Sequence, residues 1–315
     1  MQFISDDAVQ AFRLTPDTVI PIAENTLHGI ARGDIVVAPR PTISTRDGVR
    51  FMAFPAILEE VGIAGVKWLG TTSGPSAGGR GGSVIVLSKT DSAKPFAVVD
   101  ARRITATRTA CVSLLAALAL ARRDSHRIAF VACGEQARLH LAFFAQRFEV
   151  RSVASYSRSM ETASQFADFA RQALGCEAHA YGSLQECVHD ADIVISSTPS
   201  PSSTLLKAEW LDQSCFCSLV DLGRSFDTQG LPADSTFVVD DLPQFDALSR
   251  DGNIAAFEKV TPSSLLSVLE ANGFGGGSGG YFLPTGLGAI DIRLAYELCK
   301  QEADAVATPA GDNRG

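Results

Sequence analysis

Several features are scarce in this 315-residue chain, and each scarcity removes a class of answer. No apolar run approaches the ~20 residues that a membrane-crossing helix needs. The first residues, Met1-Gln-Phe-Ile-Ser-Asp-Asp7, lack the basic-then-apolar form of a signal peptide. A cytoplasmic protein with no membrane partner is therefore expected. Basic residues are outnumbered, 27 Lys and Arg against 35 Asp and Glu, and the formal net charge of −8 argues against a nucleic-acid partner. The seven cysteines contain no C-x-x-C pair and sit mostly in apolar segments, the pattern of small buried thiols in a reducing compartment. The five histidines form no H-E-x-x-H or other ligand spacing, so no metal site is expected. No internal repeat is apparent. What remains is ordinary globular composition, 46% hydrophobic and 20% charged, in a chain long enough for two domains.

Against that background one stretch stands out. Arg127-Ile-Ala-Phe-Val-Ala132 reads as a short apolar strand, Cys133-Gly134 as a small-residue turn, and Glu135-Gln136-Ala137-Arg138 as the start of an amphipathic helix reaching about Arg147. Backbone N–H groups and the dipole at such a helix start suit a pyrophosphate. The spacing is that of G-x-G-x-x-A, except that Ala132 stands where the first glycine is usual, while Gly134, the point of closest approach to phosphate, is kept. A second strand, Arg151–Tyr156, ends in Ser157-Arg158-Ser159. An acidic residue there would bind the ribose 2′-hydroxyl of NAD, and none is present. Hydroxyls and a guanidinium fork suit a 2′-phosphate, so NADP(H) is expected in preference to NAD(H). The alternative is that Ser157 and Ser159 cap the next helix while Arg158 lies in solvent.

Earlier in the chain, Thr15 as cap, Pro16 at the first helical position, apolar residues at Val19, Ile20, Ala23, Leu27 and Ile30, and Gly33 as stop predict a helix. Extended segments follow at 35–38, 49–54, 65–70, 83–87 and 96–100 without regular βα alternation, which predicts a mixed sheet. The glycine-rich Thr71–Gly82 loop between two of them is expected to be mobile and suited to closing over a substrate. From Ala101 the chain enters Arg102-Arg103-Ile-Thr105-Ala-Thr107-Arg108-Thr109-Ala110-Cys111 and then a very apolar helix through Leu120, hydrophobic nearly all round and so read as a buried bridge between domains. Strands near 128–132, 151–156, 177–181, 192–197, 215–221 and 236–240 then alternate with helices or turns, predicting a parallel, doubly wound sheet. The fourth of them ends in Ser197-Thr198-Pro199, which faces the nicotinamide half if ligands lie outside the carboxyl ends of the strands. Gly273–Gly280 reads as a flexible loop, Tyr281–Asp291 as the approach to a last helix, and Ala303–Gly315 as a disordered tail.

Several motifs, in one order, resemble the ornithine cyclodeaminase/μ-crystallin family: Phe54-Pro-Ala, Gly65-Val-Lys67-Trp68, Thr105-Ala-Thr-Arg108-Thr-Ala110, Cys133-Gly-Glu-Gln-Ala137, Ala191-Asp192-Ile-Val, Val239-Asp-Asp-Leu242 and Thr285-Gly-Leu-Gly-Ala289. The resemblance implies an α/β fold in which a Rossmann-type doubly wound parallel sheet domain, residues 119–287, is inserted in a mixed α+β substrate-binding and dimerisation domain, residues 1–118 and 288–315. It implies a homodimer. By position it places Lys67, Arg108 and Arg40 on a substrate carboxylate, and the cofactor against Thr109, Cys133, Gly134, Glu135, Gln136, Ala137, Ser157, Arg158, Ser159, Ser197, Thr198, Pro199, Leu219, Val220, Gly286 and Leu287. A C=N hydride acceptor beside a carboxylate needs that carboxylate fixed, and arginine supplies a two-pronged clamp.

Asp221, in Ser218-Leu-Val-Asp221-Leu-Gly, is offset from the family's catalytic aspartate and is similar to the branch that releases 2,3-diaminopropionate. Lys67 and Asp221 are thus the candidate catalytic groups. The implied activity is an NADP(H)-dependent oxidoreductase at the C–N bond of a small α-imino or α-amino acid. The alternatives are a cyclodeaminase-type lyase that recycles its cofactor, or a silent NADP(H)-binding protein.

Overall fold

The computed structural model describes residues 1–72, 81–198, 206–232, 234–252, 254, 257, 260–272 and 277–307, with 303–307 as backbone. Pro199, most of the Thr71–Gly82 loop, residues 273–276 and the tail from 308 lie outside the described residues. The chain divides into two compact units, Met1–Thr105 with Gly288–Gly315, and Ala106–Leu287. The first crossing between them thus falls at 105/106 rather than at 118/119.

In chain order the elements are β1 (Gln2–Ile4), α1 (Asp6–Ala11), α2 (Pro16–Arg32), β2 (Ile35–Val37), β3 (Thr42–Ser44), β4 (Arg50–Leu58), β5 (Ile63–Thr71), β6 (Ser83–Lys89), β7 (Pro95–Asp100) and α3 (Arg102–Leu120). There follow β8 (Arg127–Val131), α4 (Glu135–Phe144), β9 (Ser152–Tyr156), α5 (Met160–Leu174), β10 (Glu177–Ala180), α6 (Leu184–Val188), β11 (Ile193–Ser196), β12 (Leu206–Lys207) and β13 (Phe216–Leu219). The last are β14 (Phe226–Asp227), β15 (Phe237–Val239), α7 (Leu242–Arg250), β16 (Ser263–Ser264), α8 (Leu265–Asn272), β17 (Gly280–Leu283) and α9 (Gly288–Ala307).

In the first unit the expected helix is α2, with a Thr15/Thr18 capping box, Pro16 in its first turn and left-handed Gly33 at its end. The sheet runs β1-β7-β6-β5-β4-β2, with β3 also on β4. It is antiparallel except for β1 on β7, the mixed sheet that the sequence predicts. Strand alternation sorts its side chains into two faces. One register line, Ile4, Val99, Ile85, Lys67 and Phe54, lies on the buried face, which α9 covers. Glycine at position 65 lets that helix settle on β5, because a Cβ there would stand 2.9 Å from Ile292 Cγ2. The neighbouring line, Phe3, Val98, Val86, Val66 and Pro55, points the other way; its valines and proline are half-buried and Phe3 is 66% exposed.

In the second unit an eight-stranded, wholly parallel sheet runs β10-β9-β8-β11-β13-β17-β15-β16. All six strands expected from sequence are present. The correction is β17, expected only as the lead into a helix but inserted between β13 and β15. Its start is held rather than loose, since Gly279 N–H donates to Leu120 O at 2.9 Å and Gly280 N–H to Cys215 O at 3.0 Å. The final helix is likewise longer than expected, with ordered backbone to Ala307. Among the described residues α3 is the one helix long and apolar enough to cross a membrane, contrary to the reading that no run comes close. Because 78% of its most apolar window is buried inside the protein, it is a core helix. Buried Asp192 fixes the turn from α3 into β8, accepting from Arg122 Nη2 and from the backbone N–H of His126 (2.8 Å) and Arg127 (2.9 Å).

Candidate active site

The carboxyl ends of the central strands of the parallel sheet are tied edge to edge. Ala132 N–H donates to Tyr156 O at 2.8 Å, Ser197 N–H to Val131 O at 2.9 Å, and Val220 N–H to Ser196 O at 2.8 Å. This edge carries the strand–turn–helix unit that the sequence singles out. Ala132 occupies the left-handed region at φ 71°, the conformation a glycine would adopt freely. Gly134 caps α4, and a Cβ built on it would meet nothing within 4 Å, so open space lies against the backbone at the helix start. Two polar atoms near this edge, Gln136 Oε1 and Thr198 Oγ1, are buried without a hydrogen-bond partner among the described residues. Orphaned buried groups are costly, and a helix start leaves its own first N–H groups to be satisfied from outside. The open helix start at Gly134 and its N–H donors therefore fit a dinucleotide phosphate, whereas Gln136 Oε1, an acceptor, does not add to that fit. The Cys133 side chain points away from such a role: its thiol donates to Tyr156 O at 3.4 Å, and burial pushes its pKa up to about 12.

At the end of β9 the two readings left open by the sequence separate by residue. Ser159 caps α5, accepting from Thr162 N–H at 3.4 Å, so capping holds there. Ser157 is half-buried and Arg158 is exposed.

Past β13 the chain turns sharply at Leu222 (φ 60°) and Gly223 (φ 64°), which folds Ser225 back onto Asp221. Ser225 Oγ–H donates to Asp221 Oδ2, and Ser225 Oγ lies 2.9 Å from Ser196 Oγ at the end of β11. Asp221 Oδ1 is buried and has no hydrogen-bond partner among the described residues. Desolvation raises the Asp221 carboxyl to about 6, although Ser225 and the nearby Arg224 pull it down. A carboxyl poised there can exchange a proton near neutral pH. Leu219 and Leu287 are buried, and Val220 and Gly286 half-buried, around the same strand ends. Gly286 N–H donates to buried Asp240 at 3.1 Å, and Thr285 holds the same carboxylate through its N–H and hydroxyl at 2.6 Å each.

The first unit holds Lys67 and Arg40. Lys67 is wholly buried on an interior strand, not at a solvent-facing sheet edge, and its Nζ donates to Asp291 Oδ2 at 2.7 Å. Asp291 is equally buried and lies in the first turn of α9, where the helix dipole favours a negative charge. The Phe54 ring carries both cations, with Lys67 Nζ 4.4 Å and the half-buried Arg40 guanidinium carbon 5.3 Å from its centroid. The structure thus brings Arg40 and Lys67 together on one aromatic ring. Arg108 sits on α3 in the second unit, 4% exposed, beside half-buried Thr109. Sequence reasoning passed over Asp291, Ser225 and Ser196. The first had a signal, since a lysine at an inward strand position demands a counter-ion.

The two units, a mixed sheet under a helix and a parallel sheet with an anion-ready helix start at its carboxyl edge, define a dinucleotide-fold α/β protein. The family model for the ornithine cyclodeaminase/mu-crystallin family matches residues 5–266, and the chain belongs to that family. It is similar to the alanine dehydrogenase of Archaeoglobus fulgidus, 26% identical over 240 residues that cover 73% of this chain and 71% of that one. It is also similar to the N-((2S)-2-amino-2-carboxyethyl)-L-glutamate dehydrogenase of Staphylococcus aureus, 28% identical over 201 residues, 62% of this chain and 59% of that protein. A solved archaeal alanine dehydrogenase dimer with bound NAD shares the fold with a TM-score of 0.81 at 23% identity, covering 98% of each chain.

Proposed function

We propose that this protein is a nicotinamide-dependent oxidoreductase acting at the C–N bond of a small α-imino or α-amino acid, with NADP(H) preferred over NAD(H). The observation that carries the reading is the carboxyl edge of the parallel sheet. There the open helix start at Gly134, the orphaned Thr198 hydroxyl and the poised Asp221 carboxyl belong to adjoining strand ends. The names of the two dehydrogenase relatives support the reaction class.

Residues 134–137 would cradle the pyrophosphate, with Ser157 and exposed Arg158 left for a 2′-phosphate. Bound nicotinamide supplies or takes a hydride. Asp221 takes the amine proton when an amino acid is oxidised and returns it on reduction. In the first unit Arg40 presents a guanidinium fork suited to a substrate carboxylate, beside the enclosed Lys67 on the Phe54 ring, and in the second unit Arg108 is a candidate for the same role. The placement of Asp221 after Ser218-Leu-Val, with the likeness to the staphylococcal enzyme, favours an N-(2-amino-2-carboxyethyl) amino acid as one substrate to try. The apolar line Phe3, Val98, Val86, Val66 and Pro55, half-buried except for exposed Phe3, supports a homodimer formed through that sheet face, which sedimentation would report as a doubled mass.

The test is a panel of cyclic ketimines, α-keto acids with amines, and N-substituted diamino acids. NADPH is expected to be consumed with at least one of them, and Arg158→Ala to erase the preference over NADH. Cofactor that binds yet drives no reaction across the panel would leave a silent binder. Ammonia released from ornithine without net cofactor turnover would mark a lyase.

A further inference from the structure

Asp221 is held by a hydroxyl chain that nothing in the proposed chemistry has yet used. The chain has a fixed direction. Ser225 spends its only hydroxyl proton on Asp221 Oδ2, so the contact between Ser225 Oγ and Ser196 Oγ at 2.9 Å must be donated by Ser196. Both serines are fully buried, and the chain ends at Ser196, so it is a clamp and not a path for protons to solvent. The turn that delivers Ser225 contains Leu222 at φ 60°, a left-handed conformation that side-chain-bearing residues adopt only under strain. Phe257 packs under the same turn, since a Cβ on Gly223 would come within 2.3 Å of its ring. Strain and packing together thus bring one hydroxyl onto one carboxylate oxygen, while the other oxygen, Oδ1, is buried without a hydrogen-bond partner among the described residues.

We infer that Ser225 is a positioning residue for Asp221: it occupies Oδ2 so that proton exchange with the substrate nitrogen takes place at Oδ1 alone. The inference rests on the reading of Asp221 as the proton-handling group. When an α-amino acid is oxidised, Oδ1 takes one N–H proton of the ammonium group as hydride leaves the adjacent carbon for the nicotinamide, and the proton later passes to solvent. A carboxylate free to turn would divide its basicity between two oxygens of different reach. With Oδ2 occupied, the productive oxygen is fixed before substrate arrives. The other groups that bear on this carboxyl are Arg224 and the backbone N–H groups of Ser225 and Gly223, which favour its ionised form, and the Cys217 thiol, which burial keeps neutral.

The experiment measures amino-acid oxidation against pH in Ser225→Ala, Ser225→Thr and Asp221→Asn, alongside direct titration of NADP binding. A hydrogen bond to a charged group contributes about 1.5–3 kcal/mol, so Ser225→Ala is expected to lower kcat roughly tenfold to a hundredfold. The NADP dissociation constant is expected to stay unchanged. Removing the donor also raises the Asp221 pKa, so the acid limb of the profile moves to higher pH by about one unit. Ser225→Thr, which keeps the hydroxyl, restores both. Wild-type kcat and an unmoved acid limb in Ser225→Ala, with Asp221→Asn inactive, would overturn the inference while leaving Asp221 in place. Full activity in Asp221→Asn would remove the reading of Asp221 and the inference with it. If Ser225→Ala fails to fold, Ser196→Ala carries the test: a smaller upward move of the same limb supports the clamp, and no move overturns it.

Discussion

Two buried carboxylates, Asp291 in the first unit and Asp221 in the second, are held in different ways. In the first, Lys67 is sealed in an otherwise apolar register line, and its ammonium meets Asp291 at 2.7 Å with both side chains fully buried. In the second, Gln136 Oε1, Thr198 Oγ1 and Asp221 Oδ1 are buried with no hydrogen-bond partner among the described residues, beside left-handed Ala132 and Leu222. A buried ion pair resists the loss of either partner and fixes a charge in place. Orphaned atoms and strained backbone instead mark a surface shaped for something that arrives later. The paired charge is set before any ligand arrives, whereas the edge is completed by one.

The sharpest way to break this comparison is to unbalance the ion pair. Asp291→Ala leaves the Lys67 ammonium buried without its carboxylate, and breaking such a pair costs about 3–5 kcal/mol. The urea midpoint is expected to fall accordingly. The double variant Lys67→Met, Asp291→Leu removes both charges and is expected to recover most of the loss, because apolar residues of similar volume often replace a buried ion pair without penalty. If the double variant is as unstable as the single one, the pair is not what the first unit depends on.

The same contrast explains what could be read from the sequence. Helix α2 was legible because its signals are local: Thr15, Pro16 and Gly33 mark its ends, and apolar residues recur at helical spacing. The strand–turn–helix at Arg127–Phe144 was legible for the same reason. The mixed and parallel sheets followed from where βα alternation begins. Strand β17 was missed because its place between β13 and β15 is decided by long-range pairing, not by any residue in Gly280–Leu283. Asp291 was missed because it lies 224 residues from Lys67, and Ser225 because it meets Ser196 from 29 residues away. Lys67 itself was noticed, but its complete enclosure depends on Gly65 admitting α9, a packing fact that no spacing encodes.

A pH experiment sharpens the comparison within the second unit. His140 is fully buried, lies 2.8 Å through Nδ1 from Gln136 O and 3.1 Å through Nε2 from Ser113 Oγ, and burial lowers its pKa to about 4. Its neutral form is satisfied: Nδ1–H donates to the carbonyl, and Ser113, itself receiving Ser218 Oγ–H at 2.9 Å, donates to Nε2. Between pH 4 and 6.5 the unfolded chain binds this proton and the folded chain does not, so His140 makes stability fall on acidification, by about 3 kcal/mol across the window. Asp221, raised to about 6, has the opposite sign: over roughly pH 4 to 6 the folded chain holds the extra proton, and stability rises on acidification by a similar amount. The two slopes are expected to offset in the native protein. Relative to it, His140→Gln is expected to gain stability from pH 7 to 4.5 and Asp221→Asn to lose it. Parallel pH profiles for the three proteins would show that neither group is held as described.

The smallest effect tests whether the edge is strained at all. Ala132 sits at φ 71°, where an L-residue costs roughly 1–2 kcal/mol relative to a right-handed conformation. Glycine removes that cost but loses about 0.5–1 kcal/mol to the greater freedom of the unfolded chain. The balance predicts that Ala132→Gly stabilises the protein by about 0.5–1 kcal/mol, read as a rise in the urea midpoint with an unchanged slope. The backbone bonds of this turn, Ala132 N–H to Tyr156 O and Ser197 Oγ–H to Ala132 O, do not involve the methyl group, so little else is lost with it. A destabilised variant would mean that the alanine methyl makes packing contacts worth more than the strain, and the turn would then resemble the packed interior of the first unit more than an edge awaiting a ligand.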